Sequence, residues 1–253
     1  MKRLLLLLLI ITQVAFGQAD DSTAVVSLPV KTNFKYGLAS EFGLSSTVTL
    51  LPNIRSFFRE NQIRPDPSLA LILNTGVTIR INRIKLLLQN GFGLNNAGTY
   101  YDFPATGSEI VAQNSIAAYS GMLIGYDVIN ARNRRLYINA GFGGMEHGFN
   151  IFRRTNRTVP FQDILQTTQT GTVSSLLLKN VGYLDVNVEY TQREKRKRSV
   201  GVVLRLGYRR GTYRKAYESD AFRLVDAPKD RIGQIYFQSL LNLSVNNNKW
   251  KFR

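Results

Sequence analysis

Two sets of residues in this sequence have the types and spacing to do chemistry. The first centres on His147, the only histidine, in the run G-G-M-E-H-G-F. A histidine next to an acid can serve as a general base, and with a nucleophile in reach it hydrolyses acyl esters. Adjacent residues of an extended chain point to opposite faces, however, so Glu146 is badly placed to orient His147. No serine stands two residues on; the run continues His-Gly-Phe where acyl-lipid chemistry would use His-x-Ser. With one histidine and no cysteine, neither a metal centre nor a cofactor is expected.

The second set is a group of charges: Lys35, Glu41, Arg80, Lys85, Asp127, Asp185, Glu189, Arg205 and Arg209. Each falls on the small or polar side of a run that alternates with apolar residues. If those runs close on themselves, the charges share one narrow interior. Charges of both signs there must pair, because an unpaired buried charge is costly. The expected result is an ion-pair plug. The competing expectation is a narrow, porin-like path for ions or small solutes through the same residues.

The elements that would position these charges are strands. In 199–208, S-V-G-V-V-L-R-L-G-Y, the residues Val200, Val202, Leu204, Leu206 and Tyr208 share one face. Ser199, Gly201, Arg205 and Gly207 fall on the other face, with Val203 among them. The same pattern recurs over 34–50, 69–81, 84–95, 113–129, 135–152, 172–191 and from 233 onward. In 172–191 the apolar face is read as Leu176, Leu178, Leu184, Val186, Val188 and Tyr190. Glycines 91, 93, 121, 125, 141, 143, 201 and 207 lie on the inward side, which suits a small interior that admits long side chains. Eight strands joined alternately by long and short connections define an all-β fold, an eight-stranded antiparallel up-and-down transmembrane β-barrel. In such barrels the short turns are periplasmic and the long loops extracellular. In the first long connection, Asn53 is placed to cap a short helix carrying Ile54, Phe57 and Phe58 against the rim. Phe34, Tyr36, Tyr126, Tyr190, Trp250 and Phe252 stand at strand ends, where interfacial aromatics belong. Trp250 and Phe252 are out of phase with 241–245, so 246–248 is either a bulge or the strand's end.

The address is written at the start of the chain. Met-Lys-Arg precedes an apolar core from Leu4 to Ile11, and then Ala15 and Gly17 stand at the −3 and −1 positions before Gln18. Residues 1–17 read as a signal peptide, 18–33 as a periplasmic lead-in and 34–253 as the barrel. Past the N-terminus no apolar run approaches the ~20 residues of a spanning helix. The net charge of +16 in 253 residues raises the question of nucleic acid. The basic clusters at 132–135 (R-N-R-R) and 193–198 (R-E-K-R-K-R) sit in turns with no stacking platform beside them. They read as solvated turns or as contacts with anionic lipid head groups.

The chain resembles the small outer-membrane β-barrels of the PorT-like and OmpA-like group in the form common in Bacteroidetes. The residues that carry the resemblance are the signal peptide ending A-F-G-Q, G-F-G-L (91–94), N-A-G-F-G-G (139–144), L-P-N-I-R-S-F-F in the first loop and the end W-K-F-R. It implies an outer-membrane location, reached through the barrel-assembly machinery, more than an activity; the leading expectation is a non-enzymatic, monomeric barrel. Its partners would be outer-membrane lipid and lipopolysaccharide, with room for a protein partner through the extracellular loops. A lipid-modifying enzyme centred on His147 and a soluble β-sandwich or lipocalin-like binder are the other readings.

Overall fold

A computed structural model describes residues 34–94, 108–129, 131, 133–155, 160, 174–221 and 223–248. The signal peptide and lead-in expected over 1–33, as well as Trp250 and Phe252, lie outside the described residues. The elements in chain order are β1 (Tyr36–Leu50), α1 (Pro52–Glu60), β2 (Ile63–Pro65), β3 (Leu69–Ile81), β4 (Ile84–Gly93), β5 (Ser108–Asp127), β6 (Arg134–Thr155), β7 (Ser174–Gln192), β8 (Arg198–Gly211), β9 (Lys215–Ala216), β10 (Lys229–Asp230) and β11 (Gly233–Asn247).

Eight of these strands form a closed antiparallel ring. β1 pairs with β3, and the ladder continues through β4, β5, β6, β7, β8 and β11 back to β1. Closure leaves no edge strand in the ring, so its backbone groups are satisfied without water. The burial pattern is inverted relative to a soluble protein. Phe42, Phe92, Phe142, Leu184 and Leu206 stand exposed on the outside, each by more than half of its surface. Glu41, Lys85, Asp185, Glu189, Arg205 and Arg209 are buried within. The outward column of β3 from Leu69 to Ile81 spans roughly 28 Å along the axis at ~3.3 Å per residue and ~45° tilt. That height matches the hydrocarbon core of a bilayer, and the barrel is of the transmembrane kind.

The sequence-expected strand positions differ from the structure mainly at the long-loop end. β5 begins at Ser108 and β6 runs to Thr155, both beyond the alternating stretches 113–129 and 135–152. Two irregularities explain why alternation misses these extensions. Asn114 pairs with Phe149 and Ile116 with Gly148, so Ser115 is an extra residue in β5. Met145 pairs with Val181 and His147 with Leu178, so Lys179 and Asn180 together oppose Glu146. The second bulge reverses the phase of β7. Leu176 and Leu178, expected outward from their phase with Leu184, are instead buried in the cluster that contains Val181 and Tyr183.

That cluster fills the long-loop mouth of the barrel, and α1 supplies part of it. Leu51, Ile54 and Phe58 pack with Met145, Phe149, Leu178, Tyr217 and Ile232. Phe58 meets Phe149 edge-on, with ring centroids 5.3 Å apart. Asn53 does not cap this helix: the N-cap is Leu51, without a side-chain hydrogen bond. The cap comes from another loop, where Asp230 accepts from the Asn53 N–H (3.0 Å) and the Ile54 N–H (2.8 Å). A carboxylate on free first-turn N–H groups satisfies donors and also opposes the helix dipole. Asp66 ties the same mouth to β5, accepting from the Asn114 N–H at 2.7 Å. Burial pushes its carboxyl above the ordinary range.

Asp230→Ala removes both acceptors, a change of about 1–2 kcal/mol in local stability. Trypsin cleavage at Arg55 and Arg59 of the detergent-solubilised chain should therefore accelerate roughly tenfold, while the barrel still shifts its gel mobility on boiling. Unchanged cleavage would show that Asp230 does not hold the helix.

Candidate functional site

The inward side chains of the ring form a continuous polar column that rises from the short-turn end. At that end Arg80 donates to the Phe34 carbonyl (3.0 Å) and to Asn246 Oδ1 (3.0 Å). Glu194, in the β7–β8 turn, reaches into the mouth and bridges Arg80 (3.4 Å) to Arg135 (3.2 Å). Arg135 also pairs with Asp127 at 3.1 Å.

The middle level is organised by Arg205. Its Nη2 lies 2.8 Å from both Glu41 and Glu189, and its Nη1 donates to Gln238 at 2.7 Å. Lys85 pairs with Glu189 from the opposite wall and sits over the Tyr137 ring. Thr78 donates to Glu41 (2.9 Å) and Asn139 to Glu189 (3.3 Å). Thus each carboxylate here has partners on several strands.

Above it, Arg209 pairs with Asp185 at 2.9 Å, and its guanidinium lies 3.5 Å from the Tyr119 ring centroid and 4.6 Å from that of Tyr236. Such stacking suits the planar, weakly hydrated guanidinium better than an ammonium. Tyr236 donates to Asp185 at 2.6 Å. Asn74, Tyr119 and Gln238 link this level to the one below. With Glu41 on β1 and Arg80 on β3 through to Gln238 on β11, every strand of the ring contributes a polar side chain.

The tyrosines fit because glycines face them. A Cβ on Gly91 would lie 2.1 Å from the Tyr119 ring, and one on Gly121 2.1 Å from the Tyr183 hydroxyl. Gly143 meets the same Tyr183 ring. Gly207 lies under Tyr236 in the same way. At the short-turn end a cavity of about 20 Å³, room for one water, is lined by Glu41, Arg80, Lys85, Tyr137, Glu189 and Asn246 among others.

Of the nine charges named from the sequence, Glu41, Arg80, Lys85, Asp127, Asp185, Glu189, Arg205 and Arg209 are buried in this column. Lys35 is not. The chain leaves the sheet there, with the Lys35 carbonyl accepting from the Asn82 N–H at 2.6 Å, so strand phase does not extend to it and its side chain is exposed. Phe34 likewise is no interfacial aromatic; it precedes β1 and is buried, its carbonyl held by Arg80. Tyr36, Tyr126 and Tyr190 stand on outward columns near the short turns, and Arg83 donates to the Tyr126 hydroxyl at 3.1 Å. Two members of the column are not among the nine. Arg135 is hidden in a basic turn, although it is in phase with Tyr137 and Asn139. Glu194 sits in a turn, where no periodicity marks it.

His147 points inward, 3% exposed, with its ring edge-on to Phe149 at 4.9 Å. Glu146 lies on the opposite face, at the bulge.

No protein-family model and no curated protein matches the chain. Among solved structures it is similar to Neisserial surface protein A, at 10% identity over 83% of this chain and 96% of that one, with a TM-score of 0.41. The outer membrane protease OmpT from Escherichia coli is 12% identical, over 89% and 100%, with a TM-score of 0.36. The outer membrane protein AlkL, solved in lipid bilayers, is 9% identical, over 93% and 100%, with a TM-score of 0.32. The fold itself rests on the hydrogen-bonded ring described above.

Gly121→Ala should cost about 1–3 kcal/mol, because the new methyl meets the Phe142 carbonyl as well as Tyr183. Gly201→Ala, where nothing lies within 4 Å, should be neutral by comparison. Arg205→Leu strands Glu41 and Glu189 without a shared cation, and should lower stability by about 3–5 kcal/mol. Adding Glu41→Gln to it should recover part of the loss. All are read from urea unfolding in lipid vesicles, followed by gel mobility without boiling; a loss under about 1 kcal/mol for Arg205→Leu would contradict the pairing account.

Proposed function

We propose that the chain is an outer-membrane β-barrel, exported by its N-terminal segment and inserted by the barrel-assembly machinery, whose lumen is plugged by its own charge network. Its work is structural or interaction-based. The long loops, with the lipopolysaccharide phosphates and any protein partner they reach, carry that work in a monomeric barrel. The observation that supports this reading is the pairing inside the ring. Arg80, Lys85, Arg135, Arg205 and Arg209 face an equal number of carboxylates in Glu41, Asp127, Asp185, Glu189 and Glu194. Such a column has no net charge to offer a passing ion. The cross-lumen bonds would have to break for one to pass.

A non-enzymatic role is part of the proposal. His147 is buried with its ring edge-on to Phe149, and its neighbouring acid faces the other way. The PorT-like and OmpA-like resemblance, carried by the inward glycines and the first-loop helix segment, is the family reading we favour. It adds a location more than an activity.

A narrow passage is the second reading, supported by the cavity at the short-turn end, whose lining includes Glu41 and Glu189. Planar-bilayer recording separates the two. The wild-type chain should show no reproducible unit conductance, and its band should shift on boiling after extraction from the outer membrane. A steady unit conductance that disappears on changing Arg205 would overturn the plug.

A further inference from the structure

With the lumen charges paired among themselves, the excess of basic residues behind the +16 net charge lies elsewhere on the molecule. Much of it gathers at the short-turn end. Lys35, Arg83, Arg134, Arg196, Lys197 and Arg198 ring that end, and the only acid in the three short turns, Glu194, is turned inward to Arg80 and Arg135. Neither Arg134 nor residues 196–198 have an ion-pair partner among the described residues.

This ring stands at a definite height relative to the apolar exterior. Arg134 and Arg198 have outward phase: they continue the columns of Leu136 and Ile138 on β6 and of Val200 on β8, two residues further on. Arg198 pairs directly with Val245, which is exposed on the apolar belt. Arg83 sits in the turn between Ile81 and Ile84, an exposed pair, and lies 5.6 Å from the centroid of the Tyr126 ring, itself on the outside. Two residues along a tilted strand rise about 5 Å. The cations therefore stand one step beyond the hydrocarbon boundary, at the height of lipid phosphates, and around the circumference rather than over the lumen. A site for a soluble polyanion would be expected to face away from the belt instead.

We propose that this ring binds anionic glycerophospholipid head groups of the leaflet at the short-turn end, the periplasmic one if the barrel is oriented as outer-membrane barrels are. The inference rests on the transmembrane reading above. It differs from the lipopolysaccharide contact proposed for the long loops in face, leaflet and lipid. Phosphate oxygens accept from the outward arginines while the acyl chains lie along the columns of Ile81, Ile84, Val200 and Val245. Tyr126, whose hydroxyl accepts from Arg83 at the boundary, sets the depth of that arginine.

The test uses the full mature chain in phosphatidylcholine vesicles with spin-labelled phosphatidylglycerol or spin-labelled phosphatidylcholine, and reads the motionally restricted lipid at the protein surface. The wild-type chain should favour phosphatidylglycerol about fivefold, the ratio for one engaged cation per lipid site. One molar NaCl should reduce the ratio, since exposed charges are screened within about 3 Å at that ionic strength. The triple variant R196Q/K197Q/R198Q, which discharges half of the ring, should lower the ratio clearly below the wild-type value. The equally discharged long-loop variant R153Q/R214Q/R223Q should keep it. Equal loss in both variants, or a wild-type ratio of one, overturns the proposal; the latter result would leave the ring to a soluble acidic partner. Failure of the transmembrane reading looks different: neither labelled lipid would then show a restricted population.

Discussion

The structure depends on the level at which Arg205 holds Glu41 and Glu189 together. Three charged groups meet there with almost no solvent, and Lys85 joins from the far wall. None of the four tolerates removal of its partners, because a stranded charge in that interior loses its compensation while keeping its desolvation penalty. The strands they sit on are β1, β4, β7 and β8, which are spread around the ring. A shift of any one strand by a single residue turns its charge outward into the apolar belt and leaves the others unpaired. Pairing at this level thus fixes register across the barrel, and the levels above and below it inherit that register. Arg209 with Asp185, and Arg135 with Asp127, repeat the arrangement at other heights.

Volume sets the second constraint. An eight-stranded ring is just wide enough for side chains to fill, so every large inward group needs a small one opposite. The tyrosines and glycines answer each other across neighbouring or next-but-one strands: Tyr119 over Gly91, Tyr183 over Gly121 and Gly143, and Tyr236 over Gly207. The aromatic rings then act electrostatically as well as filling space. Their faces receive the Arg209 guanidinium, and the Tyr236 hydroxyl satisfies the second oxygen of Asp185. Charge pairing and packing are therefore solved by the same residues, and neither could be altered alone.

Alternation makes most of this interior legible in the amino-acid sequence. Strand phase places Arg205, Arg209, Glu189 and Asp185 on one interior because period-two pleating leaves no freedom within a regular strand. It fails where the backbone stops being regular. The bulge opposite Glu146 moves Leu176 and Leu178 to the inside, and the bend before Tyr36 puts Lys35 outside. The cap of α1 is illegible for a different reason. The sequence points to the nearest candidate, Asn53, whereas the acceptor that holds the first turn is Asp230, far away in the chain. Local patterns cannot encode a contact between two loops. Glu194 belongs to the same class, since a turn residue has no phase.

The two ends of the barrel follow from this division of labour. At the long-loop end the bulges reverse phase and admit an apolar cluster, which α1 completes from above, so that mouth closes by hydrophobic packing. At the short-turn end, closure is by charge: Glu194 spans Arg80 and Arg135. Using Glu194 inwardly removes the only acid from the short turns. Arg134, Arg196, Lys197 and Arg198, left outside, have no ion-pair partner among the described residues. An interior neutralised that fully makes the rim correspondingly basic. The same carboxylate that seals the lumen therefore also leaves the adjoining outer surface without a counter-charge, which is what the proposed lipid phosphates would supply.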